Sequence, residues 1–315
     1  MSVVEWLGLR FELPRPWEII RHGISPRKGS LAFADRRRQR LQVTWTSCVK
    51  RPDVARLLSD HRDRQRAIDT DAVFVTPTLP AGWRGLERRF GGSGSGSGDQ
   101  AAGRVRAARY DDATDRLIEV VLALDPQDPA DALLTEQVLD GLRVTGRAED
   151  ARRWRAFGID AELPSGWRLQ RTAVRPADVT LMFVPRATKR PAEPYRPWPR
   201  SVTLRRRAMA GVWFDGDWQA LFRGDEPKAG LTFSPSVDAD VRPGHAGATA
   251  TWNVPGPRYQ RLLSRHQIAT SRAWRCPADD AVYQLTAVAP ANDPPTLAGF
   301  RLACGGVSEG RCGGG

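Results

Sequence analysis

The chain reads as α+β: two tandem domains, each an antiparallel β-sheet covered by helices. Three observations predict this. Short segments recur at an offset of 150 residues, alternating apolar runs are joined by turns too short for parallel crossovers, and 315 residues suit two compact units.

The recurrence is specific. Residues 8–17 read GLRFELPRPW and residues 158–167 read GIDAELPSGW, so Gly8/Gly158, Glu12/Glu162, Leu13/Leu163, Pro14/Pro164 and Trp17/Trp167 coincide. Arg109-Tyr110-Asp111-Asp112 precedes the apolar run at 117–124, as Arg275-Cys276 through Asp279-Asp280 precedes the run at 281–288. GLRV (141–144) and GFRL (299–302) close the two halves. Three matches in one order predict a duplication, with repeats at 1–147 and 152–303 and a Gly-rich tail at 304–315 that forms no packed element.

Within the first repeat, Leu31 and Phe33 alternate with small residues, and Leu41, Val43 and Trp45 alternate with Arg40, Gln42 and Thr44. That is the pattern of strands with one apolar and one wet face. Asp35 and the following arginines form the hairpin connection. A helix then opens at Pro52 and Asp53, with Val54, Leu57, Leu58 and His61 in one stripe. Strands follow around Trp83, at 103–110 and at 117–124. A last helix after Pro129 places Leu134, Val138 and Leu142 on one face, which completes the order β-β-β-α-β-β-β-α. In the second repeat, strands are expected at 161–169, 179–184 and 201–207, and residues 213–222 are the best helix candidate.

A strand ending LP-x-x-W, followed by sheet strands, a helix, more strands and a final helix, resembles the PsbP-like fold typified by the photosystem II extrinsic protein. Leu13, Pro14 and Trp17, and again Leu163, Pro164 and Trp167, carry the resemblance. It implies an antiparallel sheet with helices and a binding or assembly role without catalysis. The tandem arrangement departs from the photosynthetic members, so their partners are not carried over.

Composition excludes several classes. With 41% hydrophobic and 27% charged residues, 11 tryptophans and a mean hydropathy of −0.45, the chain is neither disordered, fibrous nor a multi-span membrane protein. The N-terminus has no basic run before an apolar core, and no stretch of about 20 uncharged apolar residues occurs, so a cytoplasmic location without membrane partners is expected. The net charge of +12 is unevenly spread. Residues 1–150 hold 24 basic and 22 acidic side chains, residues 151–315 hold 24 and 14, and eight basic residues fall between Arg186 and Arg207.

Reactive residues are sparse. None of the four histidines has metal-binding spacing, and Cys48, Cys276, Cys304 and Cys312 show no finger pattern, so no catalytic residue, cofactor or metal is expected. His22 and His245 sit beside glycines in turns and are expected to be exposed. Cys48 and His61 form the nearest thiol and imidazole pair, but a helix start separates them. Asp111-Asp112 and Asp279-Asp280 fit turn chemistry. Gly91 to Gly98 lacks the lysine of a phosphate loop.

The Pro-rich insertion at 186–200 is the best functional candidate. Its Arg186, Lys189, Arg190, Arg196 and Arg200 are interleaved with Tyr195 and Trp198, a mixture suited to an acidic protein partner. The expected function is non-enzymatic binding or assembly through this basic surface of the second repeat. Sequence-independent nucleic-acid binding is the first alternative and an enzyme with a cleft between the repeats the second.

Overall fold

The computed structural model describes residues 2–14, 17–89, 103–125, 128–131, 133–187, 200–224, 231–236, 245–254 and 267–304. The chain divides into two compact units, Met1–Ala151 and Arg152–Gly315. The fold is mainly β, and every strand pair within each unit is antiparallel.

In the first unit, strands β1 (Ser2–Trp6) and β2 (Leu9–Leu13) form a hairpin. Its two turn residues, Leu7 and Gly8, both have left-handed backbone (φ 50° and 72°), the geometry that matches strand twist in a two-residue hairpin. A seven-stranded sheet follows. Its spatial order is β3 (Glu18–His22), β4 (Lys28–Ala34), β5 (Gln39–Ser47), β9 (Arg116–Leu124), β8 (Gly103–Asp111), β7 (Arg84–Arg89) and β6 (Val73–Val75). Helix α1 (Val54–Ile68) joins β5 to β6, and its Asp53 cap accepts the Arg56 N–H at 3.1 Å. A 3-10 turn (Pro129–Asp131) and α2 (Leu134–Asp140) lead to β10 (Leu142–Val144), which pairs with β2.

The alternation seen in the sequence sets the core. Leu41, Val43 and Trp45 of β5 are fully buried with Leu31 and Phe33 of β4 and Ile118, Val120 and Leu122 of β9. Two details differ from expectation. Arg40 does not face water: the 3-10 turn brings Asp131 onto it, and the two form a buried ion pair. The α1 stripe is only partly covered, α1 lying chiefly against β7 and β8; Leu58 is buried while Leu57 is exposed. His22 is half-buried, with its ring edge-on to Trp6 at 5.8 Å.

Burial lowers the pKa of His22, and at His61 burial is reinforced by Arg106 and Arg64. The folded state then binds fewer protons than the unfolded chain below the ordinary histidine pKa of about 6.5. Stability is therefore intact above about pH 6.5 and falls as pH drops through that value toward the lowered ones. Urea midpoints measured at about pH 7.5 and 5 should show a smaller acid loss in H61Q than in the parent chain; equal losses would contradict the assignment.

In the second unit, β11 (Arg153–Ala156) and β12 (Ile159–Glu162) form a hairpin whose turn residues, Phe157 and Gly158, are again both left-handed (φ 54° and 74°). Strand β20 (Arg301–Cys304) pairs with β12. The second seven-stranded sheet runs β13 (Trp167–Arg175), β14 (Asp178–Pro185), β15 (Ser201–Ala208), β19 (Ala281–Pro290), β18 (Gln267–Cys276), β17 (Gly247–Val254) and β16 (Thr232–Ser236). Two short helices, α3 (Ala210–Trp213) and α4 (Trp218–Arg223), occupy the segment between β15 and β16.

Three expectations are corrected here. The strand predicted at 161–169 is two strands, broken by the Leu163–Gly166 corner where Gly166 is left-handed (φ 86°). The helix predicted at 213–222 is interrupted: Gly216 is left-handed, and Asp217 starts a new helix by accepting the Ala220 N–H at 2.9 Å. Cys304 belongs to β20 and is buried, so it is not part of an unpacked tail; residues 305–315 lie outside the described residues.

The strand orders of the two large sheets correspond element for element. Pairing registers then match individual residues. Asp111 opposite Arg116 corresponds to Cys276 opposite Ala281, and Leu9 opposite Val144 corresponds to Ile159 opposite Cys304. By register Cys276 thus matches Asp111 and Cys304 matches Val144, the last residue of GLRV.

Candidate functional site

The second unit carries a basic sheet face. On β15, Val202 and Leu204 point to the core together with Arg206, whose Nε donates to the Tyr283 hydroxyl at 3.2 Å. Period-two alternation sends Arg205 and Arg207 to the other face. Across the ladder, Arg205 stands opposite Thr180 and Arg207 opposite Asp178, while Arg171 and Arg175 of the edge strand β13 stand opposite Met182 and Asp178. Four arginines thus share one face with one carboxylate.

That carboxylate organises the cluster. Arg205 holds Asp178 with a two-pronged hydrogen bond, Nε to Oδ1 at 2.9 Å and Nη2 to Oδ2 at 2.6 Å. This bond, with further help from Arg205, Arg207 and Arg175 as charges, holds the Asp178 carboxyl below its ordinary pKa. The Arg207 guanidinium lies over the Trp213 ring at 4.1 Å, and burial together with Arg205 lowers its pKa. A cavity of about 410 Å³ opens there, with Arg205, Arg207, Met209, Val212 and Trp213 in its wall. Met209, Val212 and Trp213 expose apolar surface beside the charges. Matched by register, Arg205, Arg207 and Asp178 correspond to Thr44, Thr46 and Lys28 in the first unit and Arg171 to Arg21, so the forked Arg205–Asp178 pair and its neighbour Arg207 have no counterpart there.

The predicted partner-binding segment is only partly visible. Lys189, Arg190, Tyr195, Arg196 and Trp198 lie outside the described residues. Arg186, just after β14, donates its backbone N–H to Gly166 O at 2.7 Å, and Arg200 forms an ion pair with Asp293. Sequence reasoning centred the basic surface on the insertion; the described arginine cluster instead sits on strands that flank it. Arg171 and Arg175 were missed, because only the strand register shows that they meet Arg205 and Arg207.

The remaining candidates separate. Cys48 Sγ donates to Thr46 O at 3.6 Å and its backbone N–H to Asp115 O at 2.8 Å, and no hydrogen bond joins it to His61 among the described residues. Asp111 accepts from Thr114 N at 3.0 Å, as a turn residue does, whereas Asp280 accepts from Gly211 N at 2.7 Å, a long-range bond to the start of α3.

One grouping contradicts the expectation that His245 is exposed and that the cysteines are unrelated. His245, Cys276 and Cys304 are all buried, and their donor atoms lie within 4.8 Å of one another. Cys304 Sγ is 3.5 Å from His245 Nε2. Burial pushes the Cys276 thiol pKa up, and its hydrogen bond with Cys304 adds to this. The positions register-matched to this trio in the first unit are Ala81, Asp111 and Val144, which line an open cavity of about 880 Å³ next to Trp83 and Arg109. Arg109 stacks over Trp83 at 4.8 Å and donates to Leu142 O at 3.2 Å.

No helix among the described residues is long and apolar enough to cross a membrane. Neither a family model nor a curated protein matches the chain.

Proposed function

We propose that the chain is a non-enzymatic binding or assembly protein of the cytoplasm, built from two copies of one PsbP-like module, whose second copy offers a basic surface to an acidic protein partner. The duplication is supported by the shared strand order, the matched left-handed hairpin turns at Leu7-Gly8 and Phe157-Gly158, and the recurrent LP-x-x-W. The observation that carries the function is the replacement of Thr44 and Thr46 in the first unit by Arg205 and Arg207 in the second, with Arg171 and Arg175 beside them.

The arrangement suits carboxylates. Asp178 already occupies one arginine fork, so a partner's aspartate or glutamate meets guanidinium groups fixed in position, and little ordering is required on binding. Exposed Met209, Val212 and Trp213 supply an apolar rim for neighbouring partner side chains. The 186–200 insertion adds five basic residues to the same unit, with 188–199 outside the described residues.

The test is a titration of the full chain with a fluorescein-labelled glutamate-rich peptide. R205T/R207T, which installs the residues of the first unit, should weaken binding about tenfold, and deletion of 188–199 should weaken it less. Binding that is unchanged in R205T/R207T overturns the reading. Single-stranded DNA displacing the peptide, with affinity falling steeply in salt, would replace it with the nucleic-acid alternative.

A further inference from the structure

We propose that His245, Cys276 and Cys304 form a zinc site in the second unit, independent of the basic face. The three residues come from separate parts of the chain: His245 from the segment before β17, Cys276 from the end of β18 and Cys304 from the end of β20. All three side chains are buried, and each turns a soft or borderline donor toward the same point.

The spacing fits the ion. Tetrahedral zinc with sulfur at about 2.3 Å and imidazole nitrogen at about 2.0–2.1 Å sets sulfur and nitrogen about 3.6 Å apart, and two sulfurs about 3.8 Å apart. The Cys304 to His245 separation is 3.5 Å, and the remaining donor distances stay within 4.8 Å. The Cys276 sulfur also accepts the backbone N–H of Asp279, in the tight turn that begins at Pro277. An amide aimed at a ligand sulfur orients it, as the outer shell of a metal site does. The side of Asp279 is fixed in turn, since its carboxylate accepts the Tyr283 hydroxyl, which also donates to Gly158 O at 3.0 Å.

Buried thiols alone explain less. Cys276 and Cys304 do pack in an apolar cluster with Trp274, Ala281 and Tyr283, and cysteine often serves as a small hydrophobe. An apolar role gives no reason for an imidazole nitrogen to be buried against one of the sulfurs. The matched positions of the first unit, Ala81, Asp111 and Val144, show that the same framework does without the trio. Ligation would tie the short strand β20 and the segment before β17 to the end of β18, closing two long loops. Three protein donors leave one position of a tetrahedral ion for water.

The test is anaerobic titration of the reduced full chain with cobalt(II), read by thiolate charge-transfer and tetrahedral ligand-field absorption. The expected result is one cobalt per chain, displaced by zinc, with uptake retained in C48S and lost in C276S/C304S. H245Q should bind at least tenfold more weakly, about 1.4 kcal/mol. If C276S/C304S does not fold, zinc content of the purified parent chain decides: about one zinc per chain, released by a thiol reagent, supports the site. Absence of stoichiometric cobalt uptake, uptake that survives C276S/C304S, or a Cys276–Cys304 disulfide in thiol-blocked protein overturns it.

Discussion

Replacing Asp131 with alanine is expected to destabilise the protein by about 3 kcal/mol, because it removes the buried partner of the Arg40 guanidinium and leaves only the more exposed Asp35, 3.6 Å from Arg40 Nε, to offset the charge. Arg40 and Asp131 are 4% and 2% exposed, and Asp131 Oδ2 also accepts the Asp125 N–H at 2.7 Å, closing the 3-10 turn. The penalty comes from the under-compensated buried charge rather than from the value of the pair. R40M/D131L, which removes both charges and keeps the volume, should therefore lie much nearer the parent in urea unfolding. A double variant as unstable as D131A would show that the pair holds the turn by geometry that apolar packing cannot replace.

Arg116 is the second large case. It is fully enclosed, its Nη1 donates to Leu7 O at 2.9 Å, and its guanidinium lies 5.8 Å from the centre of the Trp45 ring. R116A removes that bond from the hairpin turn and leaves a cavity, so a loss of about 4 kcal/mol is expected; R116M fills the space and should cost about 1–3 kcal/mol. Burial lowers the Arg116 pKa to about 10. A guanidinium stays protonated even when buried, so this lowering expresses the cost of enclosing the charge.

Tyr283 plays the corresponding part in the second unit by a different chemistry. It does not occupy the position matched to Arg116, which is Ala281, yet its hydroxyl reaches the matching hairpin turn at Gly158 O. Sequence comparison pairs residues, whereas the fold conserves a bond to a turn carbonyl. For that reason neither contact could be read from the motifs.

Legibility followed the length and regularity of each segment. Strands β5, β9 and β19 were visible because their nine or ten residues keep one apolar face throughout, whereas β18, equally long, was not read as a strand. Strands β10 and β20, of three and four residues, carry too few positions to show alternation, and they form through pairing with β2 and β12. Strand β15 was visible as the strand expected at 201–207. The basic face was not, since Arg171, Arg175, Arg205 and Arg207 meet only through the registers of β13, β14 and β15. The thiol and imidazole cluster was hidden for the same reason. Cys276 stands within one recurrent segment and Cys304 two residues beyond another, GFRL (299–302), but spacing along the chain gives no hint that the two meet.

The charge asymmetry between the halves had a physical site after all, although it lies on strands as well as on the insertion. Among the described arginines, Arg205 and Arg207 are both held in place, one by a carboxylate fork and one by a tryptophan face. Guanidinium groups fixed in this way favour binding through reduced ordering cost.

Photo-crosslinking of a glutamate-rich peptide to the full chain, mapped by mass spectrometry, tests the location of this surface most directly. The expected crosslinks fall on residues 171–178, 201–208 and the exposed Met209, Val212 and Trp213, and disappear in R205T/R207T. Crosslinks confined to residues 1–151, or unchanged by that substitution, would contradict it.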